Sequence, residues 1–302
     1  MEDFAEYILN EDDYIQKMII AYYMSEKTGI FFNKSIILRT QIAKMFLDYA
    51  SLDVDENEVL TAMLLCNCKK VDNSQKLGKL ETYAKDGAEY LAILGFGKKF
   101  CKICEGLNRY SSTDKREKES DILELVDQFT GLILRREERE AFTPQEALII
   151  LKERNLKNIN NRYLEDFILF VNAMETLYIK DATEVPVLRK LAFLCEREHS
   201  TKSYISALQN RYAEEIDKLI GKNIKKQSKE LFSMDGKKEK NNIVTTAANK
   251  AKTKRKTVQT VHRYTRVIQK SNANKALFSQ EVADRVMNHK SVYKIENWCI
   301  KA

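Results

Sequence analysis

Few side chains in this sequence could do chemistry. Two cysteine pairs, Cys66-x-Cys68 and Cys101-x-x-Cys104, have the close spacing of zinc ligands. Four thiolates hold that ion tetrahedrally. On one helix, however, Cys66 and Cys68 point about 200° apart, because a turn takes about 3.6 residues. Cys101 and Cys104 do share a face. The competing reading makes all four small buried hydrophobes, since free cysteine is among the most buried residue types. The chain has three histidines, His199, His262 and His289, none close in sequence to these cysteines. It has no glycine-rich phosphate loop and no dinucleotide fingerprint, and no Ser or Cys nucleophile has a His in its sequence context.

A second group of residues could bind without reacting. The C-terminal third carries Lys250, Lys252, Lys254, Arg255 and Lys256, followed by His262, Arg263, Tyr264 and Arg266. Cationic side chains with an interleaved aromatic can contact phosphates of a nucleic acid. They can equally attract an anionic surface or an acidic partner, or form a solvated linker. The net charge of +7 is unevenly spread. Residues 222–256 alone hold eleven Lys and one Arg against three acids, and the first 221 residues are net acidic. An acidic body joined to a basic tail is a division of labour rather than a uniformly basic protein.

The elements that must position these groups are helical. Pro occurs only at Pro144 and Pro186, glycine only nine times, and 44% of residues are apolar. Helix breakers are thus rare and a core can be buried. Apolar residues at helical spacing run through 4–24 (Phe4, Ile8, Tyr14, Met18, Tyr22) and through Ser35–Leu52. A helix capped by Asp53 or Asp55 runs through Val59–Leu65 and is apolar on most sides, so it is expected at the centre. Further helices are expected from about Asp86 to Leu94, over 98–106, and over Asp121–Leu134. Thr143-Pro144-Gln145-Glu146 is a helix start, with Thr as N-cap, Pro in the first turn and Glu three residues after the cap. Stripes at Tyr163–Leu177, from Pro186 to Leu194, and at Ile205–Leu219 complete an all-α body of about nine helices. Residues 222–256 read as a Lys-rich linker. Two short helices at Val258–Ile268 and Ser279–Met287 and a strand at Val292–Ile295 would make a small basic C-terminal module of residues 257–302. No run of about 18 apolar residues occurs, so no spanning helix is expected. The acidic start Met1-Glu2-Asp3 is unlike a signal peptide, and the expected compartment is cytoplasmic.

Four segments in order resemble the HD-GYP branch of the HD superfamily of metal-dependent phosphohydrolases. Ala62-Met63-Leu64-Leu65-Cys66-Asn67-Cys68-Lys69-Lys70 looks like the family's Ala-x-Leu-Leu-His-Asp-Ile-Gly-Lys. Tyr83-Ala84-Lys85-Asp86-Gly87-Ala88-Glu89-Tyr90-Leu91 looks like its His-Pro-x-x-Gly-Ala-Glu-x-Leu. Asp121–Phe129 looks like the helix that bears the last metal-ligand Asp, here Asp127. Arg136, Arg139 and Ala141-Phe142-Thr143-Pro144-Gln145-Glu146-Ala147-Leu148 look like its Arg-Pro-Tyr-Arg-x-Ala-Phe-Ser-Pro-Glu-Glu-Ala-Leu. The resemblance covers roughly Ser35 to Glu175. It implies an HD-domain-like bundle over 35–180, with 1–34 as an N-terminal helical extension and 181–221 as helices packed on it.

The same resemblance marks what has been replaced. The family holds two or three metal ions through His and Asp side chains, and the ions acidify the attacking water. Here the first His position falls at Leu38, the His-Asp pair is Cys66-Asn67, the next His is Tyr83, and only Asp127 remains. The segment Gly106–Asp114, where the Gly-Tyr-Pro signature should fall, contains no His. The resemblance therefore implies a pseudoenzyme with no metal or other cofactor. Asp127 is expected in a structural ion pair with Arg109 or Arg136, because a buried carboxylate needs a donor or it neutralises. Lys70, Arg109 and Arg136 are candidate contacts for an anion in the emptied pocket. The expected role is a regulatory or scaffolding module that binds a protein partner or a nucleotide. The alternatives are nucleic-acid binding through residues 222–302 and a divergent phosphohydrolase acting on cyclic dinucleotides.

Overall fold

Polar side-chain caps mark where five of the helices begin. In the computed structural model, the described residues are 2–70, 82–107, 116–137, 139–156, 161–179 and 184–224. The chain divides after Gly221, and nearly all described residues precede that point. Among them are eleven α-helices and no strand, only the isolated bridges Arg136–Arg139 and Tyr178–Pro186. Helix α1 is Glu2–Asn10 and α2 is Tyr14–Thr28. The apolar spacing over 4–24 is thus shared by two helices. The break comes at Asp13, whose carboxylate accepts the amides of Ile15 and Gln16 as an N-cap. Gly29 ends α2 with φ 68°, the left-handed value that glycine adopts without strain.

Asn33 caps α3, Lys34–Ala50, and Asp55 caps α4, Glu56–Leu65. Helices α5, Tyr83–Ile93, and α6, Lys98–Glu105, form a hairpin. Phe96 and Phe100 stack at its turn, with ring centroids 4.6 Å apart. Helix α7, Lys118–Ile133, starts three residues before the apolar pattern does. At the head of α8, Pro144–Leu156, the Glu146 amide donates to Thr143 Oγ1 and the Thr143 amide donates to Glu146 Oε2. This is the reciprocal capping box that the sequence predicts. The remaining helices are α9, Leu164–Met174; α10, Val187–Arg197, entered from Pro186; and α11, Thr201–Ala207. A π-helical turn at Leu208–Tyr212 follows, and helix resumes over 213–224. The expected linker therefore begins as helix. The rest of it, both short C-terminal helices and the strand at Val292–Ile295 lie outside the described residues.

The core is organised around α3 and α4. Helix α3 lies against α4, α7, α9, α10 and α11. It buries Ile36, Ile37, Leu38, Ile42, Met45 and Phe46 completely. Phe46 meets Phe167 edge-on at 5.0 Å and Phe170 at 5.4 Å, and Phe129 of α7 closes the cluster on Phe167. Each such ring contributes roughly 1.5–3 kcal/mol by leaving water. Helix α4 is central, as its all-round apolar character predicts: Val59, Leu60, Met63, Leu64 and Leu65 are fully buried. Both N-terminal helices pack on it. Lys17 of α2 is itself buried and donates to the Ile8 carbonyl at 2.5 Å and to Thr61 Oγ1 at 3.2 Å. It thereby ties the end of α1 to α4. No described helix is long and apolar enough to cross a membrane.

Candidate functional site

The turn that ends α4 is the centre of the site. Cys66 donates its amide to Ala62 O, Cys68 to Leu65 O, and Lys70 to Asn67 O, so residues 66–70 curl tightly beneath the helix. The Phe31 amide donates to Cys68 O at 3.0 Å and fixes the turn to the loop before α3. Helix α5 presses on its other side. A Cβ at Gly87 would lie 3.3 Å from Cys68 Sγ and 3.5 Å from Cys66 O. Only a residue without a side chain allows that approach unchanged. It sets the first turn of α5, and with it Tyr83, close to Lys70, whose ammonium lies 5.3 Å from the Tyr83 ring centre.

Asp127 reaches this turn from α7. Its Oδ1 accepts from Asn67 Nδ2 at 3.3 Å and lies 2.8 Å from Arg39 Nη1 on α3. Among the described residues the ion-pair partner of Asp127 is Arg39, not the expected Arg136. Arg39 follows Leu38 directly, and Leu38 is fully buried. The helix thus sends an apolar side chain into the core and the next residue's guanidinium to the carboxylate. Arg109 lies outside the described residues. Arg136 is exposed, sits in the bridge that follows α7, and acts on Asp127 by its charge. Burial pushes the Asp127 carboxyl up, but Arg39, Lys70, the Asn67 hydrogen bond and Arg136 together outweigh it and hold the group below its ordinary value.

The neighbouring groups are neutral or cationic. Burial, reinforced by Asp127, pushes the Cys66 thiol and the Tyr83 phenol far up. At Lys70 the charge of Asp127 supports the ammonium. Burial and the charges of Arg39 and Arg136 outweigh that support and lower its pKa. Two polar groups are left over. Arg39 Nε and Nη1 make no hydrogen bond of good geometry although Nη1 touches Asp127, and Asn67 Oδ1 has no donor. Orphaned buried groups of this kind are uncommon and call for a ligand, a water or strain.

The described residues do not fit a binuclear metal centre. Among the described residues no group of three or more His, Cys, Asp or Glu side chains could hold a metal ion. The one carboxylate already faces a guanidinium, which puts a fixed positive charge beside any cation that would bind there. The cysteines do not form a four-thiolate site either. Cys66, Cys68 and Cys104 are buried and Cys101 is half-buried. The sulfurs of Cys66, Cys68 and Cys101 face the carbonyls of Met63, Gly87 and Phe96 instead.

Thus Leu38, Cys66, Asn67, Tyr83, Lys70 and Asp127, chosen from four separate segments, do come from elements that meet at one place. The sequence reading missed Arg39, although an arginine directly after the apolar run Ile36-Ile37-Leu38 was a visible signal. The basic residues from Lys250 to Arg266 lie outside the described residues. No protein-family model, no curated protein and no solved structure matches the chain.

Proposed function

We propose that this chain is a binding protein built like an HD-type phosphohydrolase whose metal centre has been replaced by an ion pair. The observation that carries the proposal is the 2.8 Å contact between Arg39 and Asp127. It occupies the one acidic position that the resemblance retains. The convergence of Cys66, Asn67 and Tyr83 on the same place supports the reading, because these are the positions the resemblance assigns to metal ligands. A neutral thiol, an amide and a neutral phenol neither gather divalent ions nor acidify water. What remains is a cluster of polar side chains where the resemblance places the catalytic site, a setting suited to recognising a nucleotide or serving a protein partner in regulation.

The test is elemental analysis of purified protein together with hydrolysis of a phosphodiester in the presence of added manganese and iron. Substoichiometric metal and no turnover are expected. Two equivalents of metal with turnover that Asp127→Ala abolishes would refute the proposal.

The charge distribution favours a second reading for the C-terminal third. Eleven Lys and one Arg within 222–256, beyond an acidic body, suit phosphate contacts along a nucleic acid. The two readings assign different parts of the chain and do not compete.

A further inference from the structure

Lys17 on α2 is fully buried, and its ammonium sits where α1, α2 and α4 meet. It donates to the carbonyls of Ile8 and Leu9 at 2.5 and 3.5 Å, and to Thr61 Oγ1 on α4 at 3.2 Å. The two carbonyls belong to the last turn of α1, which no amide of that helix reaches. The three donors are thus matched, but the charge is not. The carboxylates that face Lys17 are Glu11 and Asp12 from the loop after α1 and Asp55 and Glu56 from the start of α4. Each is engaged elsewhere. Glu11 accepts the Asp13 amide, Asp12 accepts from Asn57 Nδ2, Asp55 caps α4, and Glu56 lies 3.5 Å from Lys44.

Helix α1 supplies two of the three acceptors and lies against α4. It is nine residues long, and an isolated helix of that length is marginal in water. Of its described side chains only Ala5 and Ile8 are buried, and Tyr7 is 62% exposed. A terminal helix held by so little apolar contact can lift without the core unfolding. When it lifts, its carbonyls leave the ammonium and water replaces them. Burial disfavours the charged form of an amine and hydration restores it, so lifting of α1 and protonation of Lys17 are linked. The pKa follows the geometry: burial pulls Lys17 down to about 8, against the support of Glu11, Asp12, Asp55 and Glu56.

We propose that α1 is a strap over α4 that opens with uptake of a proton at Lys17 and closes as that proton leaves. Between about pH 8 and the ordinary lysine value of 10.5 the open form holds one more proton than the closed form. Rising pH therefore favours closure in that window. Below about pH 8 both forms are protonated and the balance is level. Helix α4 runs from beneath the strap to the turn at Cys66, so the device sits on the element that positions the candidate site. It does not depend on what that site binds.

The experiment places a thiol on the buried face of α1, as Ala5→Cys, and follows its alkylation in the full chain from about pH 6 to about pH 10. Each rate is divided by that of a free cysteine at the same pH, so the quotient measures how often α1 is open. The quotient should be level below about pH 8 and fall by up to about tenfold per pH unit above it. Cys104, fully buried in the core, reports global opening in the same sample and should be about tenfold or more better protected. Combined with Lys17→Arg, which stays charged, or Lys17→Met, which carries no charge, the alkaline fall should disappear. A level quotient with Lys17 in place, a fall that survives either Lys17 variant, or equal labelling of Ala5→Cys and Cys104 each overturns the proposal. Should neither Lys17 variant fold, the Cε resonance of Lys17 in the unaltered chain decides. A titration midpoint at about 8 supports the strap, and one at the ordinary 10.5 overturns it.

Discussion

Arg39 and Asp127 illustrate how differently two ways of removing a buried pair should behave. Their side chains are 9% and 16% exposed, so breaking the pair strands a charge in a poorly solvated site. Arg39→Met should destabilise the protein by roughly 3–5 kcal/mol. Replacing both, as Arg39→Met with Asp127→Leu, should recover most of that loss, since apolar residues of similar size often substitute well for a buried pair. Urea unfolding of the two single variants and the double variant measures the difference. The pair also has a pH signature. The folded-state pKa of Asp127 is depressed below its ordinary value of 3.8. Its contribution is therefore complete above that pH and disappears as pH falls below it through the folded value. Wild-type stability should fall more steeply than that of the double variant in that acid range, and equal slopes would argue against the pair as its source.

Helix starts were legible in the sequence to the extent that their chemistry is local. Thr143 and Glu146 are three residues apart, and the bonds they make are those their spacing predicts. Thr143→Ala should cost about 1 kcal/mol, the usual worth of a polar N-cap, as a shift in the urea midpoint without a change in slope. The cap at Asp13 was equally local but hidden, because the apolar spacing continues at the same period on either side of it. Reading the run Glu11-Asp12-Asp13 as punctuation separates α1 from α2. The Arg39–Asp127 pair was not legible in that way. It joins α3 to α7, and nothing near Asp127 in the sequence selects Arg39 over Arg136. The positions of the pocket came from matching ordered segments, whereas the identity of the ion pair required the packing of α3 between α4 and α7.

At the scale of the whole molecule, charge separates the chain into an acidic body and a basic tail. If the tail binds nucleic acid, the affinity of the full chain for a duplex should fall linearly on a log–log plot against salt. The slope should be about −0.9 per phosphate contacted. Changing Lys250, Lys252, Lys254, Arg255 and Lys256 to Gln should flatten that slope. An unaltered slope would remove those five residues from the interface.

The contact between Arg39 and Asp127 also constrains which sequences can be reached from this one. Substituting Arg39 alone strands Asp127 in a poorly solvated site, and introducing a histidine at Cys66 or Tyr83 alone sets it beside a guanidinium that repels the ion it would ligate. Each first step toward a metal centre is thus unfavourable without the others. On the proposed reading, a lineage that acquired this pair crossed a valley that single substitutions do not easily recross, and its descendants should vary around the arginine and the aspartate while keeping or losing the two together.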